Sequence, residues 1–187
     1  LVAGTLALTG LTCQKYAERT SWEPLVLVGA FVALSVAYSY PRVGLKHRGG
    51  ADLVTNMLGF GFLLPLAGWS LIEPVLDFPP LYLAAIFFTL GALYAPTTVA
   101  DFHADKVVAT HSLAVRFGIG PALKLGFWLL VIGVSCITWL GATTSYPFYD
   151  IKLIQVCGWY LPVQLAAYYH YFWPPEDGSV PHWDRMW

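Results

Sequence analysis

Apolar residues in this chain fall into six long runs separated by short polar stretches. The runs are roughly Leu1–Cys13, Leu25–Tyr40, Leu53–Ile72, Leu81–Ala100, Leu125–Ala142 and Leu153–Phe172. A bilayer core takes ~20 apolar residues of helix to cross. The pattern therefore predicts six membrane spans, the first two short. Trp22 and Tyr40 bracket the second run, where interfacial aromatic anchors belong. Breakers sit between the runs: Pro41 and Gly49-Gly50, Pro79-Pro80, then Gly118, Gly120 and Pro121. The tail from Pro174 to Trp187 is polar and is expected on the surface. With no internal repeat, low-complexity tract or soluble segment, residues 1–187 read as a single all-α, polytopic membrane helical bundle.

Composition agrees. The 187 residues are 57% hydrophobic and 11% charged, against roughly a quarter charged in an ordinary soluble domain. A net charge of −1 offers nothing to a polyanion, so no nucleic-acid partner is expected. Cys13, Cys136 and Cys157 lie in or beside apolar runs and read as small buried hydrophobes. The chain opens on Leu1 inside an apolar run with no basic leader, which reads as a missing natural N-terminus.

Charge placement says more. Six alternating spans put Arg42, Lys46, Arg48, Lys106, Arg116, Lys124 and Arg185 on one face, and Lys15, Arg19 and Lys152 on the other. The positive-inside rule assigns the richer face to the cytoplasm.

That face also carries the candidate chemistry. Asp101 and Asp105 are four residues apart where an apolar run ends, so on a helix they share one side. Like charges held that close call for an offsetting cation, and Mg²⁺ takes one or two carboxylates together with phosphate oxygens. Arg42, Lys46, His47 and Arg48 in the other loop suit phosphate through charge-assisted hydrogen bonds. A metal clamp with cations on a departing diphosphate is what ionisation of an allylic ester needs. Aromatic and aliphatic helix walls would house a long isoprenoid tail.

Two stretches carry a family resemblance. Asp101-xxx-Asp105 followed by Ser112-Leu-Ala-Val-Arg-Phe-Gly118 resembles the second aspartate-rich motif of the UbiA-type intramembrane prenyltransferases and the loop behind it. Tyr38-Ser39-Tyr40-Pro41-Arg42-Val43-Gly44-Leu45-Lys46 resembles that family's tyrosine-serine-x-proline…leucine-lysine stretch. Their order and separation, with two spans between, also agree. The resemblance covers about half the chain and implies a helical fold of about nine spans around a central cavity. It implies Mg²⁺-dependent transfer of an isoprenoid from its diphosphate to an aromatic or tetrapyrrole acceptor. Carried over by position, Asp101 and Asp105 would be the catalytic, metal-binding pair. Lys46, with Arg42 and Arg116 in its neighbourhood, would contact the diphosphate.

The departures are specific. No Asp precedes Asp52, so the family's first aspartate-rich motif has no counterpart here; on this alignment it falls before Leu1, with two spans missing there and one at the C-terminus. The glycine usual three residues before Ser112 is Ala109, and the often acidic positions beside Asp105 are His103 and Ala104. These departures motivate a second reading: a non-catalytic, prenyltransferase-like subunit of a larger membrane complex holding pigments or quinones.

Asp52 and Asn56, spaced as one helix face, are the acceptor-side candidates at the cavity mouth, though a plain interfacial position competes. Arg116 also suits a snorkelling role toward headgroups. His170, among Tyr168, Tyr169 and Tyr171, reads as interfacial more readily than as a pigment ligand. The expected partners are a prenyl diphosphate, a lipophilic acceptor, membrane lipid and other subunits of a complex.

Overall fold

Helices account for all the regular structure among the described residues, as the hydrophobic pattern demands. The computed structural model describes residues 22–143 and 153–173, with side chains of the last helix given from Leu161 onward. The expected first span Leu1–Cys13, the polar tail, and Lys15, Arg19, Lys152 and Arg185 lie outside the described residues.

Helix α1 spans Glu23–Ser39, with Pro24 in its first turn and Tyr40 extended before Pro41, a residue pair that cannot continue a helix. A 3₁₀ turn, Leu45–His47, follows Gly44, which sits in the left-handed region at φ 51°. Gly50, at φ 92°, opens α2, Ala51–Trp69. Helix α3 covers Pro80–Ala100, with Pro79 as its N-cap residue and Pro80 at N1, where a missing N–H costs nothing. Two short helices, α4 (Phe102–Val107) and α5 (Leu113–Phe117), lead to α6, Ile119–Thr143, and α7 covers Leu153–Phe172.

Of the six expected spans, α2, α3 and α6 are long and apolar enough to cross a membrane. Helix α1 is apolar but has 17 residues, and α7 has the bounds expected of the last run. Two local features depart from the sequence reading. Gly120 and Pro121 do not break the chain. They lie in the first turn of α6, where proline is tolerated, and the break is Gly118 alone, at φ 92°. Helix α2 widens into a π turn over Gly59–Leu63, just before Pro65. Pro65 has no N–H and its ring would press on the carbonyl four residues back, so a widened turn relieves both.

The principal helix pair is α3 with α6. It closes on small residues. A Cβ on Gly133 would lie 2.6 Å from Thr89 Oγ1 and 3.2 Å from the Ala85 carbonyl oxygen. Where lipid is as apolar as leucine, such backbone approach supplies packing that hydrophobicity does not. The core gathers Leu53, Met57, Ala92, Ala95, Val99, Leu113 and Leu123 toward one end of the bundle. That end is where α1 and α3 finish and α2 and α6 begin, so the 40–50 and 101–118 segments share it. At the other end, Glu23 Oε2 accepts from the Val75 N–H at 3.2 Å, Trp69 meets Phe78 edge to face, and Phe78 stacks on Tyr82.

Candidate functional site

A single carboxylate joins the two loops. Asp52 is fully buried; its Oδ1 accepts from the Gly50 N–H at 2.8 Å and its Oδ2 from the Leu113 N–H at 2.9 Å. Gly50 precedes α2 and Leu113 is the first residue of α5, so one side chain serves two helix starts that lack intrahelical partners. The expected place of Asp52 at a cavity mouth is thereby corrected. It is turned into the junction of the loops, because two backbone donors there need an acceptor. Asn56, one turn on, is half-buried and donates to the Asp52 carbonyl oxygen at 2.9 Å.

Beside this junction the second loop folds against the first. Gly49 packs so tightly that a Cβ would fall 2.6 Å from Arg116 Cβ and Cδ. Arg116 Nη1 donates to the Gly49 carbonyl oxygen at 3.2 Å, and its guanidinium carbon stands 5.4 Å from the centre of the Phe117 ring. Arg42 is exposed, whereas Lys46 is half-buried on the 3₁₀ turn of the same segment.

Asp101 ends α3 and starts α4, and the Asp105 N–H donates to the Asp101 carbonyl oxygen at 2.8 Å. The two carboxylates are therefore one helical turn apart; Asp101 is exposed and Asp105 half-buried. The return from α4 passes through Ala109 at φ 54°, in the left-handed region that favours glycine. This is the position at which the resemblance leads one to expect glycine, and the backbone supplies the reason.

The structure adds two residues. The Tyr38 and Tyr94 hydroxyls lie 3.2 Å apart, linking the end of α1 to α3. Tyr38 opens the tyrosine-serine-x-proline stretch of the sequence. Tyr94 stood in a run of apolar residues with nothing but its lone hydroxyl to mark it.

Among the described residues no three His, Cys, Asp or Glu side chains gather to hold a metal. A carboxylate pair is nonetheless what Mg²⁺ uses when substrate phosphates and water complete its shell, so Asp101 and Asp105 fit that ion as a metal shared with substrate. Compared with protein-family models, curated proteins and solved structures, the chain matches none.

Proposed function

We propose that this chain is an integral-membrane prenyltransferase of the UbiA type, with its reactive end on the cytoplasmic side and six spans present of about nine. The observation that supports the reading is the Asp52 bridge, which ties Gly50, at the end of the segment that carries Lys46, to Leu113, at the end of the loop that follows Asp101 and Asp105. The Tyr38–Tyr94 hydroxyl pair adds polar groups where the end of α1 meets α3.

In the proposed reaction the allylic carbon–oxygen bond of a prenyl diphosphate breaks and the electron pair leaves with the diphosphate. An electron-rich acceptor then bonds to the allylic carbon and loses a proton. Mg²⁺, when bound, supplies positive charge to the leaving group. Asp101 and Asp105 hold that charge in register. Lys46 and Arg42 offer further donors to the phosphate oxygens, and the half-buried tyrosine pair links to α3 the end of α1 from which the Lys46 segment departs.

The test is transfer of a labelled prenyl group by the membrane-embedded protein to a panel of quinone precursors, chlorophyllides and haem. Asp105→Ala is expected to abolish Mg²⁺-dependent transfer; retained turnover would remove the site. The non-catalytic reading has one observation in its favour: Asp52, the buried carboxylate at this end, is occupied by backbone. Absent transfer, with stable association into a membrane complex at fixed stoichiometry, would select it.

A further inference from the structure

The side of α2 that carries Asp52 and Asn56 is not the side that borders the apolar groove. Leu53, Val54 and Met57 line a half-open groove of about 540 Å³ with Phe117, Leu125 and Leu129. At 100° per residue the two sets point roughly 130° apart around the helix. Asp52 therefore does not line the groove, although Gly50 and Leu113, whose N–H groups it accepts from, do. The groove runs from Gly50 to Met57 along α2, about 10 Å at the α-helical rise, starting at the loop end and descending between two membrane-length helices. Its size is that of a small-molecule site, and its walls are hydrocarbon.

A cation stands at its mouth. Phe117 forms part of the wall, and the exposed guanidinium of Arg116 lies over that ring. The Arg116 stem is laid flat on Gly49, and one of its N–H groups is fixed on the Gly49 carbonyl. The charge is therefore held in place at the loop end of the bundle, beside a groove that continues between the helices. An anchored cation over an apolar groove matches a molecule with an anionic head and a hydrocarbon chain.

The geometry points to a binding site for an anionic phospholipid of the surrounding bilayer, one acyl chain lying between α2 and α6 and the phosphate on Arg116. This assigns Arg116 to the lipid rather than to the diphosphate of a substrate. The assignment does not depend on prenyl transfer.

Native mass spectrometry of the full chain, offered phosphatidylglycerol or phosphatidylcholine with the same acyl chains, tests it. The wild type is expected to retain the anionic lipid about fivefold better, the value of one basic side chain at an anionic surface. Arg116→Gln should erase that preference. Val54→Trp and Leu125→Trp, at positions already open to the groove, should lower retention of both lipids while the gel-filtration profile stays that of the wild type. Equal retention of the two lipids by the wild type, or unchanged retention in both tryptophan variants, would overturn the site. So would displacement of phosphatidylglycerol by farnesyl diphosphate with Mg²⁺, which would return the groove to the reaction. Loss of transfer in Asp105→Ala with the lipid preference intact would support it, and absence of transferase activity in the wild type would leave the lipid measurement to decide alone.

Discussion

Asp52 accepts a hydrogen bond from the backbone N–H of Leu113, 2.9 Å away and 61 positions along the chain, with no exposure to solvent. Removing the carboxylate would strand one buried donor, Leu113 N–H, and one half-buried donor, Gly50 N–H. At ~1–3 kcal/mol for each unsatisfied group, Asp52→Ala should destabilise the protein by about 2–5 kcal/mol. Asp52→Asn should also be costly, since its NH₂ would face an N–H. Thermal unfolding in detergent checks both, and an unchanged melting temperature would contradict the bridge.

Ala109 holds a left-handed backbone at φ 54°. An L-residue there carries roughly 1–2 kcal/mol of strain that glycine escapes, partly offset by glycine's larger entropy loss on folding. Ala109→Gly should raise stability by about 0.5–1 kcal/mol, read as a higher melting temperature. A fall would mean that the turn is not strained.

Gly133 and Gly29 form a contrasting pair. A methyl group on Gly133 meets Thr89 and the backbone of Ala85, whereas one on Gly29 meets nothing within 4 Å. Gly133→Ala should destabilise by about 1–3 kcal/mol through overpacking, and Gly29→Ala in mid-helix should be neutral or stabilising by about 0.5–1 kcal/mol. Unfolding measurements on the two variants side by side test the α3–α6 seam.

How much of this was legible in advance depended on range. Three of the six expected spans were, because long apolar runs have few other uses, and observed helices start or stop within a few residues of several expected limits, Leu81–Ala100 against Pro80–Ala100 among them. The pairing of Asp101 with Asp105 was legible because both lie on one turn. The bonding of Asp52 was not: its partner lies on another element, and sequence spacing carries no record of that encounter. Gly120-Pro121 misled because the same residues that interrupt a helix also begin one. The glycine-like position of Ala109 showed in the resemblance, but its cause is a backbone angle.

The proposed reading puts the 40–50 and 101–118 segments on the cytoplasmic side. Val107 is 86% exposed in the 101–118 segment and Leu76 is 94% exposed at the opposite end. In a background with the native cysteines replaced, Lys46→Cys and Val107→Cys should react with an impermeant maleimide from the cytoplasmic side, and Leu76→Cys only from the other. Labelling of Val107→Cys and Leu76→Cys from one side would refute the topology.

Tyr94→Phe removes one hydroxyl from the Tyr38 pair. A hydrogen bond of this kind is worth about 1 kcal/mol, so stability should change little. On the proposed reading, prenyl diphosphate KM should rise several-fold as the end of α1 loosens. An unaltered KM would separate the tyrosines from the reaction.

The widened turn at Gly59–Leu63 acts as a phase shifter in the middle of α2. Were the turn to tighten to regular α-helical pitch with every residue kept, everything beyond it would swing by about 100°. Leu66 and Ala67, now buried, would rotate off the helices they pack against while the Asp52 half stayed put. Pro65 and its slack turn thus set the angular offset that lets one continuous rod satisfy two differently oriented surroundings at its two ends.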